Sequence, residues 1–219
     1  TLAYQNIVTP GAPSDAQNRF ASGIQLGTGV KLSGISKIAT QGTLQNTNNA
    51  MDLAIEGAGY FQVEMADGTT GYTRAGNFSL TAEGNMVTSD GLPLIPAIQV
   101  PQGATSITIG NNGTVSATLP GQSEPSELGQ IELSNFTNPA GLLSAGNNVL
   151  IETAASGAPQ VGQGGQEGLG NIRQGALEGS NVNIVEELVN MIETQRAYEV
   201  NSKMISATDE MLQFVNQQI

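Results

Sequence analysis

The chain has 219 residues and carries seven Lys and Arg against 19 Asp and Glu, a formal net charge of −12; 28 residues are Gly, and Cys, His and Trp are absent. Without Cys there are no disulfides or thiolate metal sites, and the redox compartment is left open; without His the commonest general base and metal ligand are gone. The basic residues are scattered (Arg19, Lys31, Lys37, Arg74, Arg173, Arg196, Lys203), which argues against nucleic acid and anionic membrane as partners.

The length suffices for a real core in one large or two small domains. No apolar run approaches the roughly 20 residues of a transmembrane helix, and no signal peptide opens the chain, so direct membrane insertion is not expected. The sequence begins at Thr1 rather than Met, which reads as a trimmed start with the native N-terminus upstream.

Residues 1–40 hold dispersed Pro and Gly (Pro10, Gly11, Pro13, Gly23, Gly27, Gly29, Gly34) and no sustained helical period. They read as an extended, partly stranded arm that is ordered only by lying on something else. Residues 41–156 show short β-type runs, as at 52–56, 60–65, 71–74, 106–109, 115–119, 130–136 and 149–152. Between them sit Asp67-Gly68, Glu83-Gly84-Asn85, Asp90-Gly91 and Asn111-Asn112-Gly113, residue types that tolerate the positive φ of hairpin turns. Residues 157–179 are Gly- and Gln-rich and read as a connector with one short strand near Ile172. The predicted fold class is mainly β with a long C-terminal α-helix: extended arm, Gly-rich β domain, connector, helix. Strands followed by a single helix exclude a doubly wound α/β fold.

Residues 180–219 are the most informative segment. A helix is predicted from Ile184 to Gln217, capped by Asn183, with Glu186 in the capping-box position and Glu186 and Glu187 placing negative charge in the first turn. Free of Pro and Gly, it would run about 50 Å. One apolar stripe follows Tyr198, Ile205, Leu212, Val215 and Ile219, with polar Asn201 and Thr208 between. A second follows Ala197, Val200, Met204, Ala207, Met211 and Phe214 in steps of three and four, roughly 100° away around the helix. Val185, Leu188 and Ile192 extend the apolar surface toward the N-terminal end. A helix docked on one neighbour needs a single stripe; two stripes suit partners on two sides. Assembly, not catalysis, is therefore the leading function class.

Chemistry finds little support. Glu186 and Glu187 are adjacent, so they point about 100° apart and cannot share a substrate; Asp209 and Glu210 fail in the same way. Asp52, Glu56 and Glu64 alternate with apolar residues, as the outer face of strands would. A secreted β-rich protein acting on or adhering to polysaccharide through paired carboxylates is the different-class alternative. The stretch 162–168 has the Gly content of a calcium-binding nonapeptide repeat but occurs once and lacks its Asp positions. Gly57-Ala58-Gly59 lacks the spacing and following helix of a phosphate loop. No catalytic, metal or cofactor site is predicted.

The C-terminal residues also carry a specific resemblance. The runs Ser180-Asn181-Val182-Asn183, Glu186-Glu187-Leu188-Val189-Asn190-Met191-Ile192, Gln195-Arg196-Ala197-Tyr198-Glu199, Asn201-Ser202-Lys203 and Asp209-Glu210-Met211-Leu212 resemble the C-terminal signature of bacterial flagellar axial proteins, which build rod, hook and hook-associated segments. The stretches 22–30, 40–45, 52–63 and 72–78 are similar to the distal rod members of that family. The likeness covers essentially the whole chain. The family's N-terminal helix, ending in an Asn-rich motif, does not occur between Thr1 and Ile219 and is expected upstream, so the tail's partner helix is not in this chain.

The resemblance implies a structural subunit of the distal rod, a rigid hollow drive shaft carrying torque across the periplasm to the hook. Terminal helices would form a coiled-coil-like inner tube and the β domain an outer layer. The implied partners are further copies in a helical homopolymer, proximal rod and hook subunits, and the surrounding P- and L-ring proteins. The implied location is the basal body, from periplasm to outer membrane, reached by flagellar type III export. Residues 1–30 match an insertion that distinguishes straight rod from flexible hook, and would wedge between subunits. A proximal rod subunit is the alternative within the family; a hook protein would need a larger central insertion.

Overall fold

The computed structural model describes residues 2–9, 24–32, 37–121 and 124–217, with side chains described over 37–121 and 124–214. The chain divides into two compact units, Thr1–Ala39 and Thr40–Ile219. In the first, β1 (Leu2–Thr9) and β2 (Ile24–Leu32) form an antiparallel ribbon from Leu2 opposite Leu32 to Thr9 opposite Ile24, with a register shift at Gln5/Asn6. Residues 10–23 of the predicted arm lie outside the described residues.

The second unit carries the remaining strands and the helix. In order they are β3 (Leu44–Asn46), β4 (Leu53–Glu56), β5 (Tyr60–Glu64), β6 (Thr70–Thr73), β7 (Phe78–Leu80), β8 (Met86–Thr88), β9 (Leu94–Ile95) and β10 (Ser106–Ile109). Then come β11 (Thr114–Thr118), β12 (Ser126–Gln130), β13 (Glu132–Asn135), β14 (Leu143–Gly146), β15 (Val149–Ile151), β16 (Gln160–Gln163), β17 (Asn171–Gln174), β18 (Ala176–Glu178) and α1 (Ile184–Gln217). The predicted turn signals fall between paired or neighbouring strands: Asp67-Gly68 joins β5 to β6, Gly84 joins β7 to β8, Asp90-Gly91 joins β8 to β9, and Asn112-Gly113 joins β10 to β11.

A seven-stranded sheet, ordered β14-β15-β6-β5-β13-β16 with β9 also on β5, is the frame of the domain. β5 is its centre and is buried on both faces. Phe61 and Val63 enter the main side, where Phe61 meets Phe78 edge-on at 5.2 Å between centroids. Leu53, Ile55, Leu94, Ile131, Leu133 and Ile172 fill the same cluster. Tyr60 belongs to a second cluster with Tyr72, Phe136 and Leu142, in which Phe136 sits 4.7 Å from Tyr72 and 6.0 Å from Tyr60, both edge-on. Burial of every residue but the last in β4 and β5 thus marks strands covered on two sides, not half-exposed alternating ones.

Two expectations change. The run 130–136, read as one strand, breaks at Ile131: β12 pairs with β11 in a three-stranded sheet, whereas β13 pairs with β5 and β16 in the large one. Ile131 is fully buried at the crossover, and its N–H donates to the Gly113 carbonyl at 2.8 Å. Gly113 has φ +93°, and a Cβ there would overlap the Ile131 carbonyl, so glycine is required twice over. The segment 157–179, read as a connector with one strand, holds three, pairing β16 with β13, β17 with β4 and β18 with β3. Its Gly residues permit close backbone approach within a sheet domain; composition alone does not separate that from a linker.

Candidate assembly surface

The helix starts where the sequence places it. The Asn183 side-chain oxygen accepts from the Val185 N–H at 3.2 Å, and the Asn183 carbonyl accepts from the Glu187 N–H at 3.0 Å. Glu186 and Glu187 lie in the first turn, where the positive end of the helix dipole favours them. Every described side chain from Ser180 to Phe214 is exposed. Val185, Leu188, Ile192, Ala197, Tyr198, Val200, Met204, Ile205, Met211, Leu212 and Phe214 all stand open, with Tyr198 76 % and Phe214 63 % accessible. The Val215 side chain and Ile219 lie outside the described residues. This much apolar surface along one 34-residue helix is far beyond the scattered exposed hydrophobics of an ordinary monomer.

At the root of the helix lies a polar junction that the sequence reading missed. The Arg74 Nε donates to the Glu178 carboxylate at 2.8 Å. Its Nη1 donates to the carbonyls of Gly57 and Gly59 at 3.1 and 2.9 Å, and its Nη2 to those of Gly57 and Ile55 at 3.0 and 3.4 Å. The guanidinium also sits 5.8 Å from the Tyr60 ring centroid. The second carboxylate oxygen of Glu178 accepts from the Gly42 N–H at 2.8 Å. Gln41 grips the same β4–β5 turn, donating to the Ile55 carbonyl at 2.8 Å and accepting from the Gly57 N–H at 3.2 Å. Asn181 donates to the Thr40 carbonyl and hydroxyl at 2.9 and 3.1 Å. One sequence signal pointed here: Arg74 is the only Lys or Arg between Lys37 and Arg173.

The remaining chemical candidates do not converge. The Gly57-Ala58-Gly59 turn presents carbonyls to a cation, the opposite polarity to a phosphate loop. Asp52 is buried instead of lining an outer strand face; its carboxylate accepts from the Asn49 side chain at 3.0 Å, fixing the turn before β4. Glu56, Glu64, Asp209 and Glu210 are exposed. Among the described residues no cluster of three or more acidic residues could hold a metal, and no helix is long and apolar enough to cross a membrane. Burial raises the Tyr60 hydroxyl pKa, with Arg74 opposing and Glu178 reinforcing; Tyr72 is raised by burial and by Glu152.

The profile of the flagellar hook protein FlgE/F/G D1 domain matches residues 54–117, and that of the flagellar basal body rod FlgEFG protein C-terminal region matches 173–218. The chain is 48 % identical over 216 residues to the flagellar basal-body rod protein FlgG of Buchnera aphidicola subsp. Acyrthosiphon pisum, covering 99 % of this chain and 83 % of that protein. It is 46 % identical over 217 residues to the protein of the same name from Caulobacter vibrioides, again covering 99 % and 83 %. The flagellar hook protein FlgE of Salmonella typhimurium is 39 % identical over 154 residues, which is 68 % of this chain but 38 % of that protein. Identity of this depth along nearly the whole sequence agrees with a fold whose open feature is a long exposed helix: the chain belongs to the flagellar basal-body rod protein FlgG family, structural subunits of the flagellar axis.

Proposed function

We propose that this chain is a subunit of the distal rod, a rigid tube in which α1 packs on helices of other copies while the β domain faces outward. The observation that carries the reading is the open helix: two apolar stripes on an element with no buried side chain over 184–214. Heptad-like spacing suits a seam between helices, and two stripes give each helix partners on two sides. Val185, Leu188, Ile192, Ala197, Tyr198, Val200, Met204, Ile205, Met211, Leu212, Phe214 and Val215 are the residues assigned to that seam. A tube built in this way resists torsion because each subunit is held by several neighbours at once.

The proposed setting is the basal body between periplasm and outer membrane, reached by flagellar type III export. The partners are further copies, proximal rod and hook subunits, and the P- and L-ring proteins as bushings. The test is direct imaging of basal bodies from cells whose own copy of this gene carries the Ile205→Glu and Leu212→Glu pair. Basal bodies that end before the distal rod support the assignment. Normal rods and normal motility remove it.

A further inference from the structure

We propose that Arg74, Glu178 and Gln41 form the mechanical joint through which torque passes between the helical layer and the β domain; this rests on the rod reading above. Within the second unit the β domain is continuous with the rest of the subunit through two segments only, 40–43 on the N-terminal side and 179–183 on the C-terminal side. They leave from the same end of one short ladder, in which Leu44 faces Glu178 and Ala176 faces Asn46. Force applied at the end of a two-strand ladder peels it one bond at a time, because each pair is loaded only after the one before it fails. Three paired residues resist such peeling poorly unless the end is pinned.

The junction is a pin at that end. Glu178, the last residue of β18, gives one carboxylate oxygen to Arg74 and the other to the Gly42 N–H, each at 2.8 Å. The Gly179 N–H donates to the Thr43 carbonyl at 2.8 Å, and Asn181 reaches Thr40. These contacts bind the two segments to each other. Arg74 then binds both to the sheet, since the carbonyls it reaches are that of Ile55 in β4 and those of Gly57 and Gly59 in the turn leading into central strand β5. Gln41 repeats the connection from the other segment. A load must therefore break several bonds together, which is shear in place of peeling.

Arginine is suited to this because its planar fork reaches acceptors in several directions, whereas Lys offers a single point charge. Burial strengthens the arrangement, the Arg74 and Glu178 side chains being 25 % and 12 % exposed. Gly42 completes the fit: a Cβ there would overlap the Gly179 carbonyl and force the two segments apart.

The experiment introduces Arg74→Gln, Glu178→Ala and Arg74→Lys separately into the gene in its own host. Subunit export, rods per cell and motor rotation under rising viscous load are then measured. The joint predicts wild-type rod numbers and near-normal rotation at low load for Arg74→Gln and Glu178→Ala. At high load it predicts a several-fold loss of rotation, with bent or broken rods, and an intermediate loss for Arg74→Lys. Fewer rods per cell, with rotation of the remaining motors normal at every load, would show a folding role only and overturn the proposal. Unchanged rotation at all loads with normal rods would overturn it while leaving the rod reading intact. Should deletion of the gene leave rods complete, the rod reading itself fails and takes the joint with it.

Discussion

Arg74 and Glu178, 104 residues apart in sequence, meet in a 2.8 Å charged hydrogen bond that closes the β domain at the point where the chain departs for its helix. Removing one partner is the more damaging change, because it strands the other in a largely enclosed site. Arg74→Met should destabilise the domain by about 2–3 kcal/mol, less than the roughly 3–5 kcal/mol of a fully buried broken pair because the guanidinium is partly exposed. Urea denaturation of the single and double variants with Glu178→Met would measure it. A double-mutant coupling below about 0.5 kcal/mol would show that the pair is incidental.

The apolar core should behave differently from this polar junction. Leu133 is fully buried between β5 and β16 and belongs to the same cluster as Phe61, Ile131 and Ile172. Leu133→Ala should cost about 3–4 kcal/mol, through lost transfer energy and a residual cavity. Chemical denaturation should show a lower midpoint with an unchanged slope. The described side chains of the tail helix, 184–214, are all exposed and add nothing to this core, so a truncation before Ile184 should leave the midpoint within error.

Alkaline conditions should loosen the second cluster. Burial raises the hydroxyl pKa of both Tyr60 and Tyr72 above the ordinary value of 10.0. For a group whose folded pKa is raised, the stabilisation is full below the unfolded value and is lost as pH rises through the folded one. Stability should therefore fall above about pH 10 as these hydroxyls are driven to ionise. Tyrosinate absorbance should lag in the folded protein and rise together with unfolding. Tyr60→Phe and Tyr72→Phe should each flatten the decline; an equally steep decline in the double variant would place its cause elsewhere.

Much of this architecture was legible from the residues because local chemistry dictates it. Asn183 followed by an acidic first turn and a Pro- and Gly-free run leaves little alternative to a helix from Ile184. Asp67-Gly68 and Asn112-Gly113 mark turns because few other residues accept the backbone they need. The joint was hidden for the opposite reason. Gln41, Arg74 and Glu178 lie on three distant segments, and no periodicity announces that they converge. β16 was obscured because its Gly and Gln give no apolar alternation to read, β18 because three residues, Ala176-Leu177-Glu178, are too few to show a period, and the break at Ile131 because an apolar residue looks the same within a strand as at a crossover.

The tail supplies the prediction with the largest functional effect. Ile205→Glu with Leu212→Glu should leave the β domain folded, since both side chains are exposed, at 65 % and 58 %. In the assembled helix layer the same substitutions would bury two unpaired carboxylates and abolish association. In a dilute monomeric preparation, amides from Val200 to Leu212 should exchange quickly, because an isolated helix without tertiary packing is marginal. Slow exchange there would mean that the helix is already covered within one subunit.

The N-terminal arm provides the last test. Its described part is a two-stranded ribbon, and its unit is distinct from the one that holds the β domain. An isolated ribbon of this kind is marginal by itself, so it gains lasting order only against other surfaces. In the rod those surfaces would be neighbouring subunits, and the arm would act as a wedge that stops them sliding. Deleting residues 6–23 should then leave the β domain's thermal midpoint unchanged, because among the described residues the main cluster draws on none before Met51. Subunits should still be exported and polymerise, but into curved or overgrown tubes. Electron microscopy of basal bodies distinguishes the outcomes. Straight rods of normal length would leave the arm without a mechanical role, and an unfolded β domain would show it to be part of that fold.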